Sequence, residues 1–127
     1  MSQRRGFSWR YALAAMRADR AVPPAIREER LRSVGVKLSA WRGRSGRRYV
    51  ARVHPIEVDA LDPASEAVLI AVRRDAQGRG VIVAVTHELP RPVWFSCARS
   101  FGATELHSYG LATDAAGRLS VAEDLTA

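Results

Sequence analysis

The segment AVLIAVRRDAQGRGVIVAV, residues 67–85, has an apolar run on each side of a polar turn. Neither run alternates apolar with polar residues, which is typical of strands that are covered on both faces. Asp75 suits the start of a type I turn, and Gly78 suits a left-handed position three residues later. The segment is therefore predicted to form an antiparallel β-hairpin.

A similar phrase recurs near the C-terminus, where Asp114 and Gly117 have the same offset within TDAAGRL, residues 113–119. The flanking segments ELHSYGLA and LSVAED indicate a second hairpin. The alternative is a short helix that begins near Thr113. Gly117 favours the hairpin, because glycine in a helix interior costs about 1 kcal/mol relative to alanine.

Between the two hairpins, the segment RPVWFSCARSFG places its apolar residues on one helical face that ends at Gly102. This pattern predicts a crossover helix over residues 91–101. Its apolar face includes Cys97, which is therefore interpreted as a buried, unreactive side chain and not as a nucleophile.

The part of the chain before residue 36 predicts two amphipathic helices. Ser8 can cap a helix that ends before Pro23, and Pro24 suits the first turn of a second helix that ends at Gly35. A short extended segment follows, and alternation in RRYVARVH, residues 47–54, indicates a half-buried strand.

Together these elements predict an α+β fold. We expect a mostly antiparallel sheet of about five strands, built from two β-hairpins plus an extra strand, with two N-terminal helices and one crossover helix. The 127 residues are predicted to form a single domain, 1–127. It comprises a basic helical N-terminal segment, 1–35, and a sheet-forming region, 36–127, that includes the helix 91–101.

Composition argues against membrane insertion and secretion. The longest apolar run, residues 67–72, is far shorter than the roughly 18 residues of a membrane span. Arg10 and Arg17 interrupt the apolar part of the N-terminus, which therefore lacks the pattern of a signal peptide. Cys97 is the single cysteine and cannot form a disulfide within the chain. We expect a cytoplasmic protein without a membrane partner.

Positive charge is concentrated in the first part of the chain. The net charge is +7, but residues 1–52 carry +11 and the remainder carries −4. Clustered cations favour binding to a polyanion, because neutralised phosphates release counterions. A GC-rich genome, whose codon usage favours arginine, would also give such a composition. The expected partner is nucleic acid or an acidic protein.

The segment WRGRSGRRYVARVH, residues 41–54, contains five arginines beside aromatic residues. Exposed aromatic rings can stack on unpaired bases while guanidinium groups hold the backbone. The alternative for the two aromatic residues, Trp41 and Tyr49, is a place in the core. The candidate binding residues for nucleic acid or an acidic partner are Trp41, Arg42, Arg44, Arg47, Arg48 and Arg52.

Catalytic and metal-binding signatures are weak. The three histidines, His54, His87 and His107, could meet Glu88 or Glu105 in a compact sheet, and Glu105 and His107 share one strand face. Their spacing is not that of a metal site, so we expect no metal and no cofactor. GRSGRR, residues 43–48, invites comparison with a phosphate-binding loop but lacks the lysine and the strand-then-helix context of one.

Two other functions remain open from the sequence. The doubly apolar strands suit a homodimeric interaction module whose uncovered sheet face is the interface. The predicted order of two helices before an antiparallel meander is similar to that of small ribonucleases of the toxin type, by analogy of fold alone. In an enzyme of that kind the candidate residues would be Arg52, His54, Arg73 and Arg74.

Overall fold

The structure is a computed structural model that describes residues 25–57, 66–88, 90 and 92–126. The helix predicted between Ser8 and Pro23 lies outside these residues. The described part contains six strands: β1 (Arg27–Leu31), β2 (Leu38–Arg42), β3 (Arg48–Pro55), β4 (Val68–Arg74), β5 (Gly80–Thr86) and β6 (Glu105–Tyr109). Two helices accompany them, α1 (Pro92–Ser100) and α2 (Ala115–Asp124).

All six strands form one antiparallel sheet in the order β1-β2-β3-β6-β4-β5. The sheet curls into a half-barrel. The predicted fold of about five strands with a pair of N-terminal helices was therefore wrong, because the described sheet has six strands and the second predicted helix contributes strand β1. The β4–β5 hairpin turns at Asp75 and Gly78, and Gly78 has φ 79°, a conformation that glycine adopts without steric cost.

The second predicted helix, from Pro24 to Gly35, is replaced by strand β1 and the loop that follows it. Residues of β1 have good helix propensity, but the strand pairs with β2 along its whole length. In the strand, Glu28 and Arg30 point into the curl, where they find partners on β2, β4 and β6. Tertiary partners therefore override local propensity.

The predicted C-terminal hairpin is also wrong, because residues 115–124 form helix α2. The Asp114 side chain caps this helix by accepting a hydrogen bond from the Gly117 backbone N–H at 2.6 Å. Val121, Ala122 and Leu125 are buried against the sheet. Capping and burial together outweigh the cost of one glycine in the first turn.

Two core layers form on the two faces of the sheet. The inner face of the curl packs Trp41, Tyr49 and apolar residues of β4 and β5 against α2. The outer face packs Leu69, Val83 and Leu106 against α1. The doubly apolar strands are thus covered on both faces within one chain, whereas the outer face of β1, β2 and β3 mixes charged side chains with small or aliphatic ones such as Leu38, Ala40 and Val50.

The curl brings β1 close to β4 and β5, which lie at the far side of the sheet order. A Cβ atom built at Gly80 of β5 would lie 2.6 Å from Glu28 Oε1 of β1. The Glu28 carboxylate itself pairs with Arg74 of β4. Glycine at position 80 therefore leaves the space in which the two sides of the half-barrel meet.

Neither of the two described helices combines the length and the apolar character needed to cross a membrane.

Candidate functional site

Three arginines lie side by side on the outer face of the sheet. Arg27 of β1 is the register partner of Arg42 of β2, and Arg42 is in turn the partner of Arg48 of β3. All three side chains are exposed. We call these residues the arginine row; together with Glu28, Glu29 and Ala40 they line a surface depression.

The arginine row is poorly neutralised by described neighbours. Arg48 Nη2 lies 3.5 Å from the exposed carboxylate of Glu29, and Arg42 Nη1 donates to the carbonyl oxygen of Gly46 at 2.8 Å. Like charges directly opposite one another on neighbouring strands destabilise a sheet. Repulsion among the three guanidinium groups therefore destabilises the folded state slightly. A bound anion would reduce this repulsion.

The β2–β3 turn beside the row carries Arg44 and Arg47, both exposed. Its backbone is held by the end of α2: Arg44 N–H donates to the Asp124 carbonyl oxygen at 2.9 Å, and Ser45 N–H donates to Asp124 Oδ1 at 2.8 Å. The Asp124 carboxylate also accepts bonds from the hydroxyl groups of Ser45 and Tyr49. This acid offsets part of the charge of Arg44.

The same bonds show why GRSGRR is not a phosphate cradle. Each backbone N–H from residue 43 to residue 47 already donates within the protein, to Arg47, Asp124, Gly43 or Ser45. A phosphate cradle needs such groups to point at the ligand. Any anion bound here must be held by arginine side chains.

Trp41, the aromatic candidate for base stacking, lies on the opposite face from the arginine row. Its side chain is 1% exposed, and its indole N–H donates to His107 Nδ1 at 2.9 Å. Tyr49, its register partner, is also buried. Of the six candidate binding residues, Arg42, Arg48 and Arg52 lie on the outer face of the sheet, Arg44 and Arg47 lie in the β2–β3 turn that contacts Asp124, and Trp41 lies in the core.

The inner face carries a polar cluster whose members are far apart in the sequence. Arg74 is at its centre: its guanidinium donates to Glu105 through Nε and Nη2 and to Glu28 through Nη1 and Nη2, at 2.5 to 3.0 Å. Arg30 Nη2 also donates to Glu105 at 2.7 Å. His107 completes the group, and we call Glu28, Arg30, Arg74, Glu105 and His107 the inner cluster.

The side chain of His107 is fully buried and held at both ring nitrogens. Trp41 donates to Nδ1, so Nδ1 is unprotonated and Nε2 carries the proton that faces Glu105 Oε1 at 2.9 Å. Burial lowers the pKa of His107, and the nearby charges of Glu105 and Glu28 oppose this only in part. The imidazole is therefore neutral at neutral pH.

Glu28, Glu105 and His107 place ligand atoms within 4.8 Å of one another, the separation that a metal ion requires. A histidine that binds metal through Nε2 normally donates Nδ1–H to an acceptor, whereas Nδ1 here accepts from Trp41. Metal binding would leave both nitrogens deprotonated. In addition, Arg74 and Arg30 together already supply two positive charges that balance the two carboxylates. The residues fit an ion-pair network, not a metal centre.

The carboxylates of the inner cluster stay ionised because of their partners. Burial alone would raise the pKa of Glu105, but hydrogen bonds from Arg74 and His107 and the charges of Arg74 and Arg30 lower it to about 2. Burial also raises the pKa of Glu28, but hydrogen bonds from Arg74 and Ser39 outweigh the effect of burial. The pKa of Glu28 is therefore below its ordinary value.

Stability is expected to fall in acid as Glu105 is protonated. Its pKa is lower in the folded protein, about 2, than the ordinary value of 4.5, so the folded state is favoured above pH 4.5 and this contribution is lost as the pH falls toward 2. Urea midpoints measured across this range should decrease. Glu105→Gln should be less stable at neutral pH and show a shallower decrease; an equally steep decrease would assign the acid sensitivity to other carboxylates.

The three histidines do not converge. His54 points outward from β3 beside Arg52, and its Nε2 lies 2.9 Å from Ser108 Oγ of β6. His107 points inward from the same strand pair, and His87 follows β5, where its Nε2 lies 3.7 Å from a carboxylate oxygen of Glu88. The candidates Arg52 and Arg74 also lie on opposite faces, so the four ribonuclease candidates do not form one site.

The alternation of Glu105 and His107 was the sequence signal for the inner cluster. Their partners Glu28 and Arg74 could not be assigned, because Glu28 was placed on a helix and Arg74 in a turn.

The chain matches no protein-family model, no curated protein sequence and no solved structure.

Proposed function

We propose that the protein binds nucleic acid through the phosphate backbone, using the arginine row, Arg52 farther along the same face, and Arg44 and Arg47 of the β2–β3 turn. The observation that carries the proposal is the alignment of Arg27, Arg42 and Arg48 on three neighbouring strands, where Glu29 is the acid found on the same face among the described residues. Guanidinium groups bind phosphate oxygens in a bidentate geometry, so adjacent arginines suit consecutive phosphates.

A backbone-binding mode is favoured over base stacking. Among the described residues on the outer face of β1, β2 and β3, none is Trp, Tyr or Phe, and Trp41 and Tyr49 are buried on the inner face. The outward side chains of β2 are Leu38, Ala40 and Arg42. Contacts to phosphate alone carry no sequence information, so binding should be independent of base sequence and sensitive to salt.

Fluorescence anisotropy with labelled duplex DNA tests the proposal. Replacing Arg42 and Arg48 together by Gln should weaken binding about 10- to 100-fold at moderate ionic strength and reduce the slope of log affinity against log salt by about 2, one for each lost phosphate contact. The fold should remain intact because both side chains are exposed.

The control is Arg79→Gln with Arg99→Gln, which removes the same formal charge from the β4–β5 turn and from α1. Arg79 pairs with the buried Asp75 carboxylate, so circular dichroism first checks that this variant is folded. This control should keep the wild-type salt slope. Equal losses in the two double variants would show that net charge alone causes binding and would contradict an arginine-row site. Binding to an acidic polypeptide without binding to DNA or RNA would assign the surface to a protein partner and overturn the proposal.

A further inference from the structure

A histidine, an arginine and a hydroxyl group lie close together on the outer face, farther along β3 than Arg48 of the arginine row. Arg48, Val50, Arg52 and His54 point outward along β3, so Arg52 lies roughly 7 Å from His54 and roughly 13 Å from Arg48. Ser108 is the register partner of Arg52 on β6 and lies diagonally from His54. His54 Nε2 and Ser108 Oγ are 2.9 Å apart, which places a hydroxyl oxygen within proton-transfer distance of the imidazole.

The surroundings of His54 keep its ring neutral. Partial burial lowers the pKa of His54, and the charge of Arg52 lowers it further. A neutral imidazole beside a fixed cation combines two requirements of phosphodiester cleavage, a proton acceptor and a positive group for the phosphate oxygens. Neither requires a metal or a cofactor.

Resting on the proposed nucleic-acid binding, we propose that this surface cleaves RNA, with His54 as general base and Arg52 as the group that holds the scissile phosphate. The ribose 2′-hydroxyl loses its proton to the unprotonated nitrogen of His54. Its oxygen forms a bond to phosphorus while the bond from phosphorus to the 5′-oxygen breaks, and the leaving oxygen takes a proton from water. The products are a 2′,3′-cyclic phosphate and a 5′-hydroxyl end, and His54 returns its proton to solvent.

Ser108 is assigned no part in bond making. A serine nucleophile would need donors for the developing oxyanion, and it would attack DNA as readily as RNA. The Ser108 hydroxyl instead occupies the position beside His54 Nε2 that the substrate hydroxyl takes. The two residues therefore have different expected results: loss of the Ser108 hydroxyl should leave cleavage intact, whereas loss of the His54 imidazole should not.

In the experiment, the full chain is incubated with a short end-labelled single-stranded RNA, and the products are separated by size. Two control substrates have the same sequence: one is DNA, and the other is RNA with a single 2′-deoxy nucleotide. Wild-type protein should cleave the RNA to cyclic-phosphate ends, leave the DNA intact and spare the bond after the deoxy nucleotide. His54→Ala should lower the cleavage rate about 100-fold or more, the usual contribution of a general base. Arg52→Gln should lower it less, and Ser108→Ala should retain it.

His87→Ala, purified in the same way, is the matched control and should cleave like the wild type; cleavage by every variant alike would indicate a contaminating nuclease and overturn the inference. DNA cleavage, or loss of activity in Ser108→Ala, would point to a serine nucleophile and contradict the assignment. Binding of the intact DNA is measured in parallel. Binding without RNA cleavage would remove this inference alone, whereas absence of binding would remove the proposed function as well.

Discussion

Arg74→Met is expected to lower the free energy of unfolding by about 3 to 5 kcal/mol, because it leaves the buried Glu28 carboxylate and the partly exposed Glu105 carboxylate without their main cation. The Glu28 side chain is 4% exposed, and after the substitution its remaining cation is Arg30, whose Nη2 lies 3.6 Å away. Glu105 would keep Arg30 and His107. Urea denaturation followed by circular dichroism measures the change.

The matched control is Arg52→Met, which removes the same charge from an exposed position of the sheet and should change stability by about 0.5 kcal/mol or less. Adding Glu28→Gln to Arg74→Met should restore part of the lost stability, since the buried charge is removed with its partner. If Arg74→Met were no more destabilising than the control, the inner cluster would not hold the half-barrel together.

The inner cluster also matters for the proposed binding surface. Glu28 and Arg30 point inward from β1 while Arg27 and Glu29 point outward from the same strand. The ion pairs to Arg74 and Glu105 bind β1 to the opposite side of the curl. Arg27 therefore keeps its position in the arginine row because the strand beneath it is attached through the inner cluster.

Trp41→Ala is expected to cost about 3 to 5 kcal/mol of stability, the usual range for removing a fully buried large aromatic side chain. Trp41→Phe keeps most of the buried ring but leaves His107 Nδ1 without its donor, so about 1 to 3 kcal/mol is expected. Both changes are measured by chemical denaturation. At a temperature at which Trp41→Phe is folded, its affinity for duplex DNA should equal that of the wild type.

This pair of measurements separates the two interpretations of Trp41. A core role predicts lost stability with unchanged binding. Lost binding with unchanged stability would mean that the indole reaches the nucleic acid and that its buried position is not the one used in the complex. Tyr49 is unsuitable as a control, because its hydroxyl donates to Asp124 and a substitution would also release the end of α2.

Local patterns predicted the elements whose determinants are close in sequence. The apolar runs 67–72 and 81–85 correspond to β4 and β5, and Asp75 turns the chain by accepting bonds from the N–H groups of Gln77 and Arg79. The helix predicted over residues 91–101 corresponds to α1, but its buried residues are Trp94, Phe95 and Ala98. Val93 is exposed, and Cys97, which was expected to be buried, is partly exposed. In each case the periodicity and the turn residues act within a few positions, so the sequence alone carries the information.

Local patterns misled where distant partners decide. Residues 27–31 have helix propensity and an Arg/Glu pattern suited to a helix, but their partners are Ser39, Arg74 and Glu105. Asp114 and Gly117 suit a turn as well as a helix start, and burial of Leu125 beneath the sheet selects the helix. Differences in helix propensity contribute less free energy than burying an apolar side chain in a core or pairing a buried charge with an opposite one.

The sequence by itself determined that the first part of the chain is strongly basic, that the apolar runs 67–72 and 81–85 extend as strands, and that residues 41–54 carry five arginines. Only the tertiary structure decided that Arg27, Arg42 and Arg48 form a row while Trp41 turns to the core. Strand register causes this difference, because a shift of one residue would exchange the two faces of the sheet. The register depends on pairings between strands and on the ion pairs around Arg74, which join residues far apart in the chain.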